Sequence, residues 1–379
     1  MAITRFSFPT AIHFGPGARH LAGAHLHEQG LKRPLIVTDK GLGALPLMGA
    51  LKAELEAAGL VVSVYAGVFG NPTGSQVMNG AAAYRSHGAD CVVGVGGGAA
   101  LDVAKVVGLL ATHPGDVMEY VWDHPQVKPI VKPLPYFIAL PTTSGTGSEV
   151  GRSSVISEEQ SHVKRVVFSG HILARVVFAD PELTLGLPAA VTAATGMDAL
   201  THNIESYLSP AYHPLCDGIA LEGARIAARA LETAVRDGAN IQARSDMMMS
   251  SMMGAIAFQK DLGAVHSCAH ALGTVCDLHH GLANALMIEP VLAWNLEAVP
   301  AKFAELAHAC GVAGGASAFV PWLGKLKAQI GIGAHLADHG VKAEHIPRLV
   351  TLAQADICHQ TNPRPCTPAD FERLFRAAL

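Results

Sequence analysis

VVGVGGGAALDVAK, residues 92–105, decides the reading of this chain. A β-branched run ends in Gly96, Gly97 and Gly98 and passes straight into an Ala/Leu-rich helical pattern. Glycines at such a junction let the backbone approach a pyrophosphate, while the first helical turn offers free N–H groups and positive dipole. The spacing is not G-x-G-x-x-G, so this is not the usual dinucleotide fingerprint, and a purely structural turn would read the same way.

Outward from that junction, short apolar runs alternate with helical patterns. PLIVTD (34–39), a helix near 45–59, VVSVYAG (61–67), a helix near 74–87 and DCVVGVGGG (90–98) precede it or lead into it, and PYFIALPTTSGTGSE (135–149) repeats the logic. This order predicts parallel strands with crossover helices, an α/β nucleotide-binding layer. The opening ITRFSFPTAIHFGPG alternates apolar and polar residues and predicts edge strands. From about residue 186 strand-like runs give way to long Ala/Leu/Met-rich patterns such as DGIALEGARIAARALETAV (217–235) and SDMMMSSMMGAIAF (245–258). The expectation is an α/β domain over 1–185 and an all-helical domain over 186–379, packed across a ligand-binding cleft.

Composition narrows the function. A chain of 379 residues exceeds the roughly 250–300 at which a single core stops growing. Half of it is apolar and 15% is charged, as in a globular protein, and a net charge of −4 offers no clustered positive field for nucleic acid or an anionic membrane. No signal-peptide pattern or membrane-length apolar run is present, which predicts a cytoplasmic protein with a small-molecule partner. Seven scattered cysteines without a C-x-x-C pair read as reduced thiols, and several of the twenty histidines cluster between 266 and 280.

Asp39 ends PLIVTD, where a carboxylate can accept hydrogen bonds from the ribose hydroxyls of adenosine and repel a 2′-phosphate, favouring NAD over NADP; capping the next helix is the alternative. PTTSGTGSE (141–149) holds five hydroxyl residues and two glycines, suited to phosphate or nicotinamide or simply to a turn. Asp198 and His202 in ATGMDALTHNIESYL lie four apart on one helical face; His266 and His270 in GAVHSCAHALG repeat the spacing, and His280 follows. An Asp with three His would leave a divalent ion an open position, which is catalytic coordination, and iron, zinc or manganese would accept the set.

Taken together, GGGAALDVAK, PTTSGTGSE, GMDALTHNIESY, GAVHSCAHALG and HHGLANA resemble, in order and spacing, the iron-containing (group III) alcohol dehydrogenases over essentially the whole chain. The resemblance implies a dehydroquinate synthase-like architecture, an NAD cofactor, one Fe2+ (Zn2+ being the other option) and a homodimer or larger even oligomer. It implies the ligands Asp198, His202, His266 and His280, with His279 only a neighbour, and an active-site histidine at His270 that passes a proton or orients a ligand. It also implies cofactor contacts at Asp39, Gly96, Gly97, Gly98, Thr142, Thr143, Thr146 and Lys164.

Two departures stand out: Ala99 replaces the family's common Ser, and AFQKDLGAVH (257–266) is one residue short. The second brings Lys260 towards the metal helix; with Arg152 and Phe258 it forms the expected substrate set, and either cation could meet an acid group. The expected reaction interconverts a primary alcohol, an ω-hydroxy acid being one candidate, and its aldehyde by hydride transfer. A maleylacetate reductase or a dehydroquinate synthase-like lyase is the rival reading.

Overall fold

The computed structural model describes Phe8 and residues 10–379. It divides into two compact units, one of residues 10–143 with Ser148–Thr184, the other including Ser144–Gly147 and Leu185–Leu379.

In the first unit the strands are β1 (Ala11–Phe14), β2 (Pro34–Asp39), β3 (Ser63–Val68), β4 (Cys91–Gly96), β5 (Tyr136–Pro141), β6 (Ser153–Ser157), β7 (Lys164–Phe168) and β8 (Val176–Ala179). The helices are α1 (Leu21–Glu28), α2 (Lys40–Gly43), α3 (Pro46–Ala57), α4 (Gly74–His87) and α5 (Gly98–Thr112). Six strands form a parallel sheet in the order β1-β8-β5-β4-β2-β3, and β6 and β7 pair as an antiparallel ribbon. The central strands β2, β4 and β5 are buried almost throughout, which is why they read as continuous apolar runs rather than alternating ones. Ile36, Val93, Ile138 and Phe178 build one core with Leu51 and Leu55 of α3. Among the described residues the N-terminal pattern yields one edge strand, β1, paired with β8; the residues before Phe8, and Pro9, lie outside the described ones.

Chain order reverses between β2 and β4: β2 continues outward to β3, whereas β4 continues the other way to β5. The carboxyl ends of strands at such a reversal are where open α/β sheets bind ligands. Asp39 and Gly96 end those two strands.

The second unit is helical: α6 (Ala189–Leu208), α7 (Pro214–Arg236), α8 (Ile241–Ala257), α9 (Ala264–Cys276), α10 (His280–Leu296), α11 (Pro300–Ala309), α12 (Ala316–Gln329), α13 (Ile346–Ala355) and α14 (Pro368–Ala378). α6 is buried on every side from Thr192 to Leu208, so it is the central rod of the unit. Met197, Leu200 and Ile204 pack with Ala224, Ala227 and Leu231 of α7. Glycines set the closest helix approaches: a Cβ at Gly254 would stand 2.8 Å from His202 Cβ, and one at Gly281 only 2.2 Å from the Ala194 carbonyl oxygen.

Periodicity alone suggests two contiguous segments, and the structure departs from that at Ser144–Gly147, which packs with the helical unit. Gly147 has φ +59°, and a Cβ there would come within 2.8 Å of the Ser251 carbonyl oxygen. Only residues without side chains let this loop lie so close to α8.

Candidate functional site

Asp198 and His202 sit one turn apart on α6, His266 one turn into α9, and His280 at the first position of α10. Folding brings all four together. Asp198 Oδ1 is 3.4 Å from His280 Nε2 and 3.9 Å from the Nε2 atoms of both His202 and His266. Donors around a tetrahedral ion at 2.0–2.2 Å lie roughly 3.3–3.6 Å apart, so one carboxylate and three imidazoles fit a single divalent ion with little adjustment. Asp198, His202 and His266 are buried, and His280 is partly exposed.

The ring atoms are already assigned by neighbouring groups. His202 Nδ1 donates to the Gly145 carbonyl oxygen at 3.3 Å, a bond that the Ser144–Gly147 loop makes available. His266 Nδ1 donates to Glu205 Oε2 at 2.5 Å. Each bond leaves Nε2 with its lone pair facing the cluster, the tautomer a ligand needs. Burial drives the His266 pKa well below its ordinary value, which likewise favours the neutral ring.

Glu205 was not singled out from the sequence, although a signal exists: Asp198, His202 and Glu205 stand at i, i+4 and i+7 on one face of α6. Its carboxylate also accepts from the backbone N–H groups of Val265 and His266, at 2.8 and 3.3 Å, and so caps α9 from a neighbouring helix. A Cβ at Gly263 would stand 2.6 Å from Glu205 Oε1, so the glycine makes room for this cap.

His270, one turn after His266, stacks on His280 with ring centroids 5.3 Å apart. Its Nδ1 donates to Asp356 Oδ2 at 2.7 Å, while Asp356 Oδ1 accepts from Ser267 Oγ and Cys358 N. Burial opposes the Asp356 charge, but His270 overrides it and holds the acid far below the usual carboxylate range. No local pattern flags Asp356; only the packing of α13 beside α9 brings it to His270.

In the sheet unit, Asp39 caps the helix that follows it and turns its second oxygen towards the glycine turn. Oδ1 accepts from Leu42 N at 2.8 Å and caps α2, while Oδ2 faces the turn after β4, where a Cβ at Gly96 would come within 3.5 Å of it. Gly96 has φ +147°, and its Cβ would also stand 2.6 Å from that of Ala100, so glycine is required. Gly97 and Gly98 begin α5, Thr142 N donates to Gly96 O at 3.0 Å, and the Thr143 side chain lies against Gly97. Thr146 falls in the loop segment of the helical unit, and Lys164 opens β7 opposite Ser157.

The substrate set needs one correction. Lys260 is 1% exposed; its ammonium ion-pairs with Asp217 and donates to Tyr207 O at 3.2 Å. The short helix Phe258–Lys260 ends at Asp261 with φ +67°, and Lys260 points into the interior, so its charge is already matched and cannot serve a substrate acid. Phe258 stands beside His202, with ring centroids 5.4 Å apart. Arg152 lies over the Phe168 ring at 5.3 Å in the sheet unit.

Such a sheet unit with a helical unit that carries a candidate metal site defines the dehydroquinate synthase-like fold class. Within it, the chain belongs to the iron-containing alcohol dehydrogenase family: residues 9–181 match the model "Iron-containing alcohol dehydrogenase" and residues 192–379 that of the "Fe-containing alcohol dehydrogenase family, C-terminal". It is an oxidoreductase, and alcohol–aldehyde interconversion is its reaction class. It is 40% identical to a 4-hydroxybutyrate dehydrogenase of Cupriavidus necator, with 98% of each chain covered. A crystal structure of a 1,3-propanediol oxidoreductase matches with a TM-score of 0.95 at 38% identity over 100% of both chains. A sulfoacetaldehyde reductase from Bifidobacterium kashiwanohense, solved with NAD+, matches with a TM-score of 0.90 at 28% identity over 100% of this chain and 99% of that one. The lyase and maleylacetate reductase readings are not favoured. No helix among the described residues is long and apolar enough to cross a membrane.

Proposed function

We propose that Asp198, His202, His266 and His280 hold one divalent ion, Fe2+ by family, and that the enzyme uses NAD(H) on a short primary alcohol with a second polar end, an ω-hydroxy acid or diol. The convergence of three imidazole Nε2 atoms on Asp198 Oδ1 carries this reading. Bound there, the ion supplies Lewis-acid polarisation of the alcohol or carbonyl oxygen, and the nicotinamide supplies the hydride acceptor or donor.

The chain's own residues do the rest. Glu205 and Gly145 O keep two rings in the ligating tautomer. Asp356 holds His270 Nδ1, so His270 Nε2 is the atom that takes or returns a proton. Phe258 gives the histidine cluster an apolar wall. The N–H groups of Gly96, Gly97 and Gly98, with Thr142, Thr143, Thr146 and Lys164, are assigned to the cofactor, and Asp39 Oδ2 to its ribose. With Lys260 withdrawn, Arg152 is the cation assigned to a substrate acid. A cytoplasmic protein assembled as dimers or larger even oligomers is the expected setting.

The test measures NADH formation from 4-hydroxybutyrate, 1,3-propanediol and 1-butanol after anaerobic loading with Fe2+ or Zn2+. The hydroxy acid should exceed 1-butanol in kcat/KM by about tenfold, the scale of one charged hydrogen bond. Arg152→Ala should remove that preference, and Lys260→Ala should leave it. His266→Ala and His280→Ala should lose ion and turnover together. Turnover unchanged after ion removal would overturn the metal centre, whereas equal efficiencies for acid and butanol would overturn only the substrate class.

A further inference from the structure

Asn284 lies four residues after His280 on α10 and is fully buried. Its Nδ2 stands 2.7 Å from Asp198 Oδ1 and 3.3 Å from both His266 Nε2 and His280 Nε2. Three of the four atoms assigned to the ion thus converge on one amide group. That group has only two hydrogens. The orientation is fixed by its surroundings, because turning the amide over would set Oδ1 against a carboxylate oxygen and two imidazole lone pairs. In the orientation adopted, Oδ1 is buried without a hydrogen-bond partner. A buried carbonyl oxygen left unpaired is costly, so an Asn that served packing alone would be poorly placed here.

We propose that Asn284 is a positioning residue of the metal centre, an inference that rests on the ligand assignment above. Its two N–H groups meet two of these three acceptors at a time when no ion does, which keeps the lone-pair-bearing groups assembled. When an ion takes the two imidazole lone pairs, the amide donates to Asp198 Oδ1 alone and fixes the direction of that carboxylate. The same bond ties α6, carrying Asp198 and His202, to α10, carrying His280. Hydrogen-bond partners of metal ligands contribute about 10- to 100-fold in affinity, and Asn284 should fall in that range.

The experiment titrates the full-length chain with Zn2+ against a chromophoric chelator, comparing wild type with Asn284→Ala, Asn284→Leu and His280→Ala. Both Asn284 variants should still bind one ion per chain at saturation, with a dissociation constant about 10- to 100-fold higher. Asn284→Leu keeps the branched shape without the unpaired oxygen and carries the test if the Ala variant loses helical circular dichroism. The d–d absorption of the Co2+-loaded variants should shift as Asp198 turns, a signal that packing alone would not move. Affinities within twofold of wild type and an unchanged Co2+ spectrum, with His280→Ala losing the ion, would overturn the role of Asn284 only. A wild type that binds no ion would overturn the ligand assignment and this proposal with it.

Discussion

Glu205 shows how one buried side chain can serve a fold and a site together. It caps α9 and fixes His266, and burial raises its carboxyl to about 7 despite the backbone N–H groups that favour its charge. The ordinary unfolded value is about 4.3. A carboxyl raised on folding binds more protons in the folded state, so its contribution to stability is present below the unfolded pKa and falls as the pH climbs from about 4.3 towards 7. In chelator-treated protein, wild type should therefore lose stability relative to Glu205→Gln between pH 5 and pH 8, read from urea midpoints. His266 remains in both proteins, so the difference reports Glu205 together with its coupling to His266. A difference independent of pH would show that Glu205 is charged in both states throughout. The same variant should bind Zn2+ about 10- to 100-fold more weakly.

At the scale of elements, the site depends on how closely helices cross. α6 and α10 meet at Gly281, where an added Cβ would stand 2.2 Å from Ala194 O and 3.3 Å from Asp198 Cβ. A carbonyl on the central helix cannot yield as a flexible side chain would. Gly281→Ala should destabilise the protein by about 1–3 kcal/mol, as overpacking does, and weaken ion binding by moving His280 away from Asp198. Gly218→Ala in α7 is the control: nothing lies within 4 Å of its added Cβ, so stability should rise by about 0.5–1 kcal/mol with ion binding unchanged. Urea unfolding and ion content measure both. The long helical patterns could be read from sequence because burial imposes their spacing. The close crossings could not, because a glycine in a helical pattern looks the same whether it faces solvent, as Gly218 does without neighbours, or another backbone.

For the whole molecule, an ion bound by three elements of the helical unit should couple loading to stability. Ion at 100 times its dissociation constant adds about 2.7 kcal/mol, which should raise the calorimetric melting temperature by several degrees; His280→Ala should show no such rise. A transition insensitive to metal would argue against a site built from α6, α9 and α10. Sequence by itself determined the parallel α/β layer and the helical second half, and it singled out Asp198, His202, His266, His270 and His280 as the candidate site. These are written in local terms: buried strands as apolar runs, helices as a 3.6-residue period, and the candidates Asp198 with His202 and His266 with His270 as i, i+4 pairs, His280 following in the same family pattern. Only the tertiary structure decided what those residues touch. It gave Glu205 to His266, Asp356 to His270 and Asn284 to Asp198, separated in sequence by 61, 86 and 86 residues. It also withdrew Lys260 into an ion pair with Asp217, 43 residues away. Hydrogen-bond partners and burial arise from the packing of distant segments, and no local period or spacing encodes which carboxylate a buried charge will meet.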